Sequence, residues 1–196
     1  MRFILGLTGQ TGAGKSLAAT VAQKNGFYVI DCDKVAHEII KCEATVTALV
    51  KAFGGGILTN GEINRQKLAI AAFESKEKTE LLNKTVLPFI VEEINNILTT
   101  VSQEYILLDA PTLFESGADN LCDKTVGIIA DKDIRFKRII QRDNLTELAA
   151  IQRINAGKDN DFYIQKCDYV IENNTTNTEF INNFENMLKD IFIGRQ

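Results

Sequence analysis

Residues 9–16 read Gly9-Gln10-Thr11-Gly12-Ala13-Gly14-Lys15-Ser16, a complete GxxxxGKS. These residue types suit one chemistry, the holding of a polyphosphate. Glycines reach backbone angles closed to other residues, so successive N–H groups can turn inward around an anion. A helix starting near Lys15 would aim its positive dipole end at the same place. Lys15 can reach the outer phosphates, and the Ser16 hydroxyl can ligate magnesium. The motif sits between an apolar run, Phe3-Ile4-Leu5-Gly6-Leu7, and an alanine-rich helical stretch, the context that separates a phosphate loop from a glycine-rich turn. Such a loop fixes a nucleoside triphosphate but not its fate. A regulatory GTPase needs an Asn-Lys-x-Asp guanine reader. Here Asn83-Lys84 is followed by Val86 where the aspartate should stand, and no Asp-x-x-Gly occurs, so a GTPase switch is disfavoured.

Carboxylates fall at the ends of further strand-like runs. Tyr28-Val29-Ile30 leads into Asp31-Cys32-Asp33, and alternation puts both acids on one face if the strand continues. Ligands of open α/β sheets bind outside the carboxyl ends of strands. A carboxylate there can take the proton of a hydroxyl attacking a γ-phosphate, or support magnesium through water. Asp33 equally suits the N-cap of a helix beginning at Lys34. Leu107-Leu108-Asp109 is the pattern of a magnesium-supporting carboxylate, or else a strand-end turn before Ala110-Pro111, and Glu115 follows close by. Arg135, Arg138 and Arg142 share one face of a helix, which is ordinarily a solvated face. This helix leads into a polar stretch containing Arg153, and arginines that neutralise a transferring phosphoryl group favour a function for Arg142. His37 lies one helical turn from Asp33 and receives no role.

Five apolar runs alternate with helical patterns: Phe3–Leu7, Tyr28–Ile30, Tyr105–Leu108, Val126–Ile129 and Tyr169–Ile171. They predict an α/β fold in which helices cover both faces of a five-stranded parallel sheet. Thr176-x-x-Glu179 reads as a capping box before the apolar face of Phe180, Phe184, Met187, Leu188 and Ile191. Two intervals exceed what a plain crossover needs. One, residues 34–100, predicts a helical insert, with Gly54-Gly55-Gly56 and Asn60-Gly61 as loops and Pro88 in a first helical turn. The other, 143–166, is polar and reads as a lid or a solvated connection. Residues 1–33, 101–142 and 167–196 then form the core.

The chain has 196 residues, 45% of them hydrophobic, enough for one domain with its own core. Its net charge of −4 argues against a dedicated nucleic-acid binder, although it is silent about local basic clusters. The four cysteines lack a CxxC pair and there is one histidine, which argues against structural zinc and for reduced thiols in a cytoplasmic protein. The opening MRFILGLTGQ is too short an apolar run for a signal peptide, and no run is long enough to span a bilayer. Neither a membrane nor an obligatory protein partner is expected.

Taken in order, these blocks resemble one family, the dephospho-CoA kinases. The resemblance is carried by Gly6-Leu7-Thr8-Gly9 through Ser16, Val29 to Ala36, Phe53-Gly54, Ile57-Leu58 with Asn60-Gly61, and Ile63-Asn64-Arg65 with Leu68. It continues through Asp109 to Gly117, Arg138 to Arg142, Arg153-Ile154 and Asp168 to Asn173. It implies a three-layer αβα P-loop nucleotide-kinase fold with a CoA-binding helical insert and a lid. It further implies transfer of the γ-phosphate of ATP, with Mg2+, to the ribose 3′-hydroxyl of dephospho-CoA. In that reading Asp33, Lys15 and Arg142 are catalytic. Thr11, Gly12, Ala13, Gly14, Lys15, Ser16 and Leu17 bind ATP. Asp33, Arg65, Leu113 and Glu115 meet the acceptor, and Ser16 and Asp109 serve the metal. The sequence departs from the family at Leu87, where histidine is usual before Pro88, at Arg135 and Gly157, where glutamine is common, and at Tyr163, where lysine is. Alternatives are a kinase of another nucleoside or nucleotide, and a nucleotide-binding module that has lost catalysis.

Overall fold

In the computed structural model, which describes residues 2–194, the chain runs β1 (Phe3–Gly9), α1 (Lys15–Lys24), β2 (Tyr28–Asp31), α2 (Cys32–Ile39), α3 (Glu43–Phe53), a short 3-10 turn, then the two-residue strands β3 (Leu58–Thr59) and β4 (Glu62–Ile63). It continues with α4 (Arg65–Ala72), α5 (Lys76–Thr100), β5 (Tyr105–Asp109), a second 3-10 turn, β6 (Lys124–Ile129), α6 (Lys132–Asp143), α7 (Glu147–Asn155), α8 (Asn160–Lys166), β7 (Tyr169–Glu172) and α9 (Asn177–Ile193). Five strands form one sheet in the order β2-β5-β1-β6-β7. β1 pairs in parallel with β5 and β6, and β6 with β7.

The residues group into two compact units. One comprises Met1–Val29, Gln103–Leu113 and Leu121–Gln196, the other Ile30–Ser102 and Phe114–Asn120. In the first, Leu5, Leu7, Leu107, Val126 and Ile128 are buried against the small side chains of α1 and against Phe180, Phe184 and Leu188 of α9. The opposite sheet face carries Gly6 and Gly127. A side chain at Gly127 would stand 3.2 Å from the Tyr163 ring of α8, so this glycine makes room for the tyrosine. Tyr163 therefore occupies a core position, where a lysine would be buried. Thr176 Oγ1 accepts the Glu179 N–H, as the capping-box reading expects.

In the second unit α5 packs against α2, α3 and α4. Pro88 lies inside this 25-residue helix rather than in a first turn. The missing N–H and ring clash disfavour that position. Packing of α5 along its length, with Ile90 and Ile94 buried, overrides the local cost. Asn60 and Gly61, at φ 52° and 84°, form the tight two-residue turn of the β3–β4 hairpin. The polar stretch 143–166 is mostly helical. Thr146 caps α7 by accepting the Ala149 N–H, and Asp159 caps α8 by accepting the Phe162 N–H. Among the described residues no helix is long and apolar enough to cross a membrane.

Candidate active site

The phosphate loop leaves β1 at Gly9 and enters α1 at Lys15. Gly12 and Gly14 have φ of 80° and 110°, angles that an L side chain adopts only under strain. The Gln10 N–H donates to Ile128 O and the Ala13 N–H to Gln10 O. No protein acceptor among the described residues takes the N–H of Gly12, Gly14, Lys15 or Ser16. Unfilled donors at a helix start are what an anion fills. They lie along a cavity of about 500 Å³ whose lining includes Thr11, Lys15, Ser16, Arg138, Arg142 and Arg153. Ala13 is buried, and Leu17 packs against the core behind the loop.

Lys15 Nζ is ion-paired with Asp109 at the end of β5, where parallel pairing sets Asp109 opposite Leu7. Both side chains are largely buried, with 19% and 15% exposure. The arginines divide into two kinds. Arg142 donates from Nε and Nη2 to the two carboxylate oxygens of Asp143 at 2.7 and 2.8 Å, and Arg153 Nη1 reaches Asp143 Oδ2 at 2.7 Å. The hydrogen bond from Arg142 holds the Asp143 carboxyl below its usual range, and the same bond raises the Arg142 guanidinium. Asp143 thus gathers two cations at one side of the cavity, a role its helix-end position does not signal. Arg135 and Arg138 are instead drawn inward, and burial lowers the pKa of both. Arg135 is buried and donates from Nε to Ala130 O at 2.9 Å, so the shared arginine face is not a solvated stripe. Gln10, also buried, joins the loop to the 143–166 stretch. Its Nε2 donates to Lys158 O and Asn160 Oδ1 at 3.1 and 3.0 Å, and its Oε1 accepts the Ala130 N–H.

β2 stops at Asp31, so the extended alternation that would align Asp31 with Asp33 does not occur. Asp31, not Asp33, is the N-cap of α2, and its Oδ1 accepts the Lys34 N–H at 3.0 Å. Asp33 stands in the first turn of α2, exposed, its carboxylate without a hydrogen bond or ion pair among the described residues. Arg65 is the exposed first residue of α4 and lines a cavity of about 450 Å³ with His37, Ile40, Lys41 and Glu43. Leu113 is fully buried beneath Gly6, and Glu115 is exposed, its carbonyl accepting from Asn83 Nδ2 at 3.4 Å. Among the described residues no three His, Cys, Asp or Glu side chains cluster as a metal site. Ser16 and Asp109 supply only hard oxygen donors, which suit a magnesium ion carried largely by phosphate and water.

A phosphate loop on the central strand of a five-stranded parallel sheet, with a lysine, a strand-end aspartate and arginines about one cavity, defines a P-loop kinase. Shikimate kinase from Acinetobacter baumannii shares this fold, with a TM-score of 0.55 at 17% identity over 99% of this chain and 95% of that one. The dephospho-CoA kinase family profile matches residues 3–179. A dephospho-CoA kinase of Fusobacterium nucleatum is 36% identical over 189 residues, covering 96% of this chain and 94% of that protein. The structure of dephospho-CoA kinase from Campylobacter jejuni superposes with a TM-score of 0.68 at 28% identity, covering the whole of both chains. The chain belongs to the dephospho-CoA kinase family, whose members phosphorylate dephospho-CoA with ATP in the last step of coenzyme A synthesis.

Proposed function

We propose that this chain binds ATP at the phosphate loop and transfers its γ-phosphate to the ribose 3′-hydroxyl of dephospho-CoA, in the cytoplasm. The observation that carries the ATP half is the row of unfilled N–H groups at Gly12, Gly14, Lys15 and Ser16, facing a cavity that also holds Lys15, Arg142 and Arg153. Lys15 exchanges Asp109 for the outer phosphates. Ser16 and Asp109 would hold magnesium, which when bound neutralises phosphate charge. Arg142 and Arg153, gathered by Asp143, offset charge on the transferring group.

Asp33 takes the proton from the 3′-hydroxyl as its oxygen bonds to phosphorus, and the bond to the β-phosphate oxygen breaks to release ADP. Its exposed, uncommitted carboxylate supports this role, since a base engaged in capping would be less available. Arg65, beside Lys41 and His37, offers the acceptor's phosphates a cationic contact. Leu113 and Glu115 are the remaining proposed acceptor contacts.

The test is a coupled assay with ATP, magnesium and dephospho-CoA, run beside adenosine and nucleoside monophosphates. The expected product is the 3′-phosphate, identified by NMR. A dephospho-CoA rate no greater than background ATP hydrolysis would sink the reading. Asp33→Asn should leave ATP affinity nearly intact and lower kcat by roughly 10²–10⁴-fold. Parent-like turnover by that variant would remove Asp33 from the mechanism.

A further inference from the structure

Asn173 directly follows β7 and is 2% exposed. Each of its hydrogen-bonding groups is engaged. The backbone N–H donates to Ile129 O at 2.9 Å, which ties the residue to the end of β6. The backbone carbonyl accepts from Arg138 Nη1 at 3.1 Å, and Oδ1 accepts from Arg138 Nη2 at 3.2 Å. Nδ2 donates to the carbonyl oxygen of Ala13, inside the phosphate loop, at 2.7 Å. The amide can be oriented in only one way. A guanidinium only donates and a carbonyl only accepts, so Oδ1 must face Arg138 and Nδ2 must face Ala13.

The Ala13 carbonyl and the Gly14 N–H belong to one planar trans peptide and point in opposite directions. Whatever fixes the carbonyl therefore aims the N–H. Gly14 lines the phosphate cavity, and its N–H has no protein acceptor among the described residues. A Cβ on Gly14 would lie 2.3 Å from Asn173 Nδ2, so the asparagine occupies the space that a side chain there would need. Arg138, which lines the same cavity, has its guanidinium committed to this brace.

We propose that Asn173, held by Arg138, is a positioning residue for phosphoryl transfer: it locks the Ala13–Gly14 peptide so that the Gly14 N–H faces the phosphates of ATP. This rests on the reading of the loop as the ATP site.

Asn173→Asp tests it. The variant is isosteric and keeps an oxygen for Arg138, but it sets an acceptor against Ala13 O. Asn173→Ala removes the amide without that repulsion and leaves Ala13 O only the longer contact from Arg138 Nη1 at 3.5 Å. ATP affinity by calorimetry, steady-state constants for both substrates and Tm are measured for each. Both variants should weaken ATP binding and raise the KM for ATP about tenfold or more, the value of one hydrogen bond to a charged group. The KM for dephospho-CoA should stay within twofold. A fall in Tm with ATP affinity and KM within twofold of the parent would make Asn173 merely structural and overturn the proposal. In the parent, the Gly14 amide resonance should move on adding ADP, and a stationary resonance would also overturn it, whether or not the variants fold. Calorimetry separates the two readings: weakened ATP binding in variants of a parent without dephospho-CoA turnover would sink the function and leave the brace standing.

Discussion

Replacing Gly14 with alanine sets two costs against each other at one backbone position. The first is conformational. Gly14 has φ 110° and ψ 19°, a region that costs an L-residue roughly 1–3 kcal/mol. The second is steric. The new Cβ would stand 2.3 Å from Asn173 Nδ2, and ordinary contact begins at 3.4 Å, so the amide must retreat by about 1.1 Å. A shift of that size breaks the 2.7 Å bond to Ala13 O and leaves buried polar groups unpaired, at roughly 1–3 kcal/mol. Together they come to roughly 2–6 kcal/mol, a fall in Tm on the order of 10 °C for a chain of this size. Whatever stability the loop recovers by opening reappears as lost ATP affinity, because opening turns the Gly14 N–H away from the cavity. Thermal unfolding followed by circular dichroism, with and without ATP, separates the two portions. Gly55→Ala is the internal control: Gly55 has no atom within 4 Å of a built Cβ and no positive φ, and its Tm should match the parent within about 2 °C. Parent-like Tm and parent-like ATP affinity in Gly14→Ala would show that neither cost operates at this position, whatever the control did.

Asp109→Asn leaves the mostly buried Lys15 ammonium without its anion and should cost about 1–3 kcal/mol, less than for a fully buried pair. It should also raise the magnesium concentration needed for half-maximal turnover, and an unchanged midpoint in a magnesium titration would remove Asp109 from that role. Burial alone would raise the Asp168 carboxyl, but hydrogen bonds from Lys124 Nζ and from the Thr125 N–H and hydroxyl outweigh it and hold the carboxyl below its usual range. A lowered folded-state pKa stabilises above the ordinary value of about 3.9 and is lost as pH falls through the folded one. The Tm gap between the parent and Asp168→Asn should thus be full above about pH 5 and shrink below about pH 4; a gap independent of pH in melts across this range would contradict it. Burial pushes the Cys167 thiol up to about 12, whereas Cys42 is exposed. Iodoacetamide at pH 8 should label Cys42 in the folded protein and Cys167 only after unfolding, as read by mass spectrometry of tryptic peptides.

The parts of the site confined to one stretch of sequence were legible. Strand, glycine-rich loop and helix occur consecutively at residues 3–24, and each obeys local rules that survive folding. Asp109 was legible for the same reason, as an acid terminating an apolar run. Contacts closed by topology were not. Asn173 and Ala13 are 160 positions apart, and only the parallel placement of β7 beyond β6 brings them together. Asp143 resembled any acid at a helix end, yet it gathers Arg142 and Arg153. The start of α2, expected at Lys34, falls at Cys32 because Asp31 and Asp33 are equally good caps by type, and only the backbone at Asp31 decides between them. Pro88 misled for the opposite reason: a strong local signal was overruled by tertiary packing.

Among the described residues the phosphate loop is fastened by Gln10 to Ile128, Ala130 and the start of α8, by Ala13 to Asn173 and Arg138, and by Lys15 to Asp109. These anchors lie at or near the ends of β6, β7 and β5, the last three strands of the sheet to leave the ribosome. A chain emerging from its N-terminus therefore displays the complete GxxxxGKS long before it can shape it. Nucleotide-binding competence then waits for β7: a chain halted before residue 173 should not retain ATP, and in refolding, ATP binding should appear with the docking of β7 rather than with the first formation of β1 and α1.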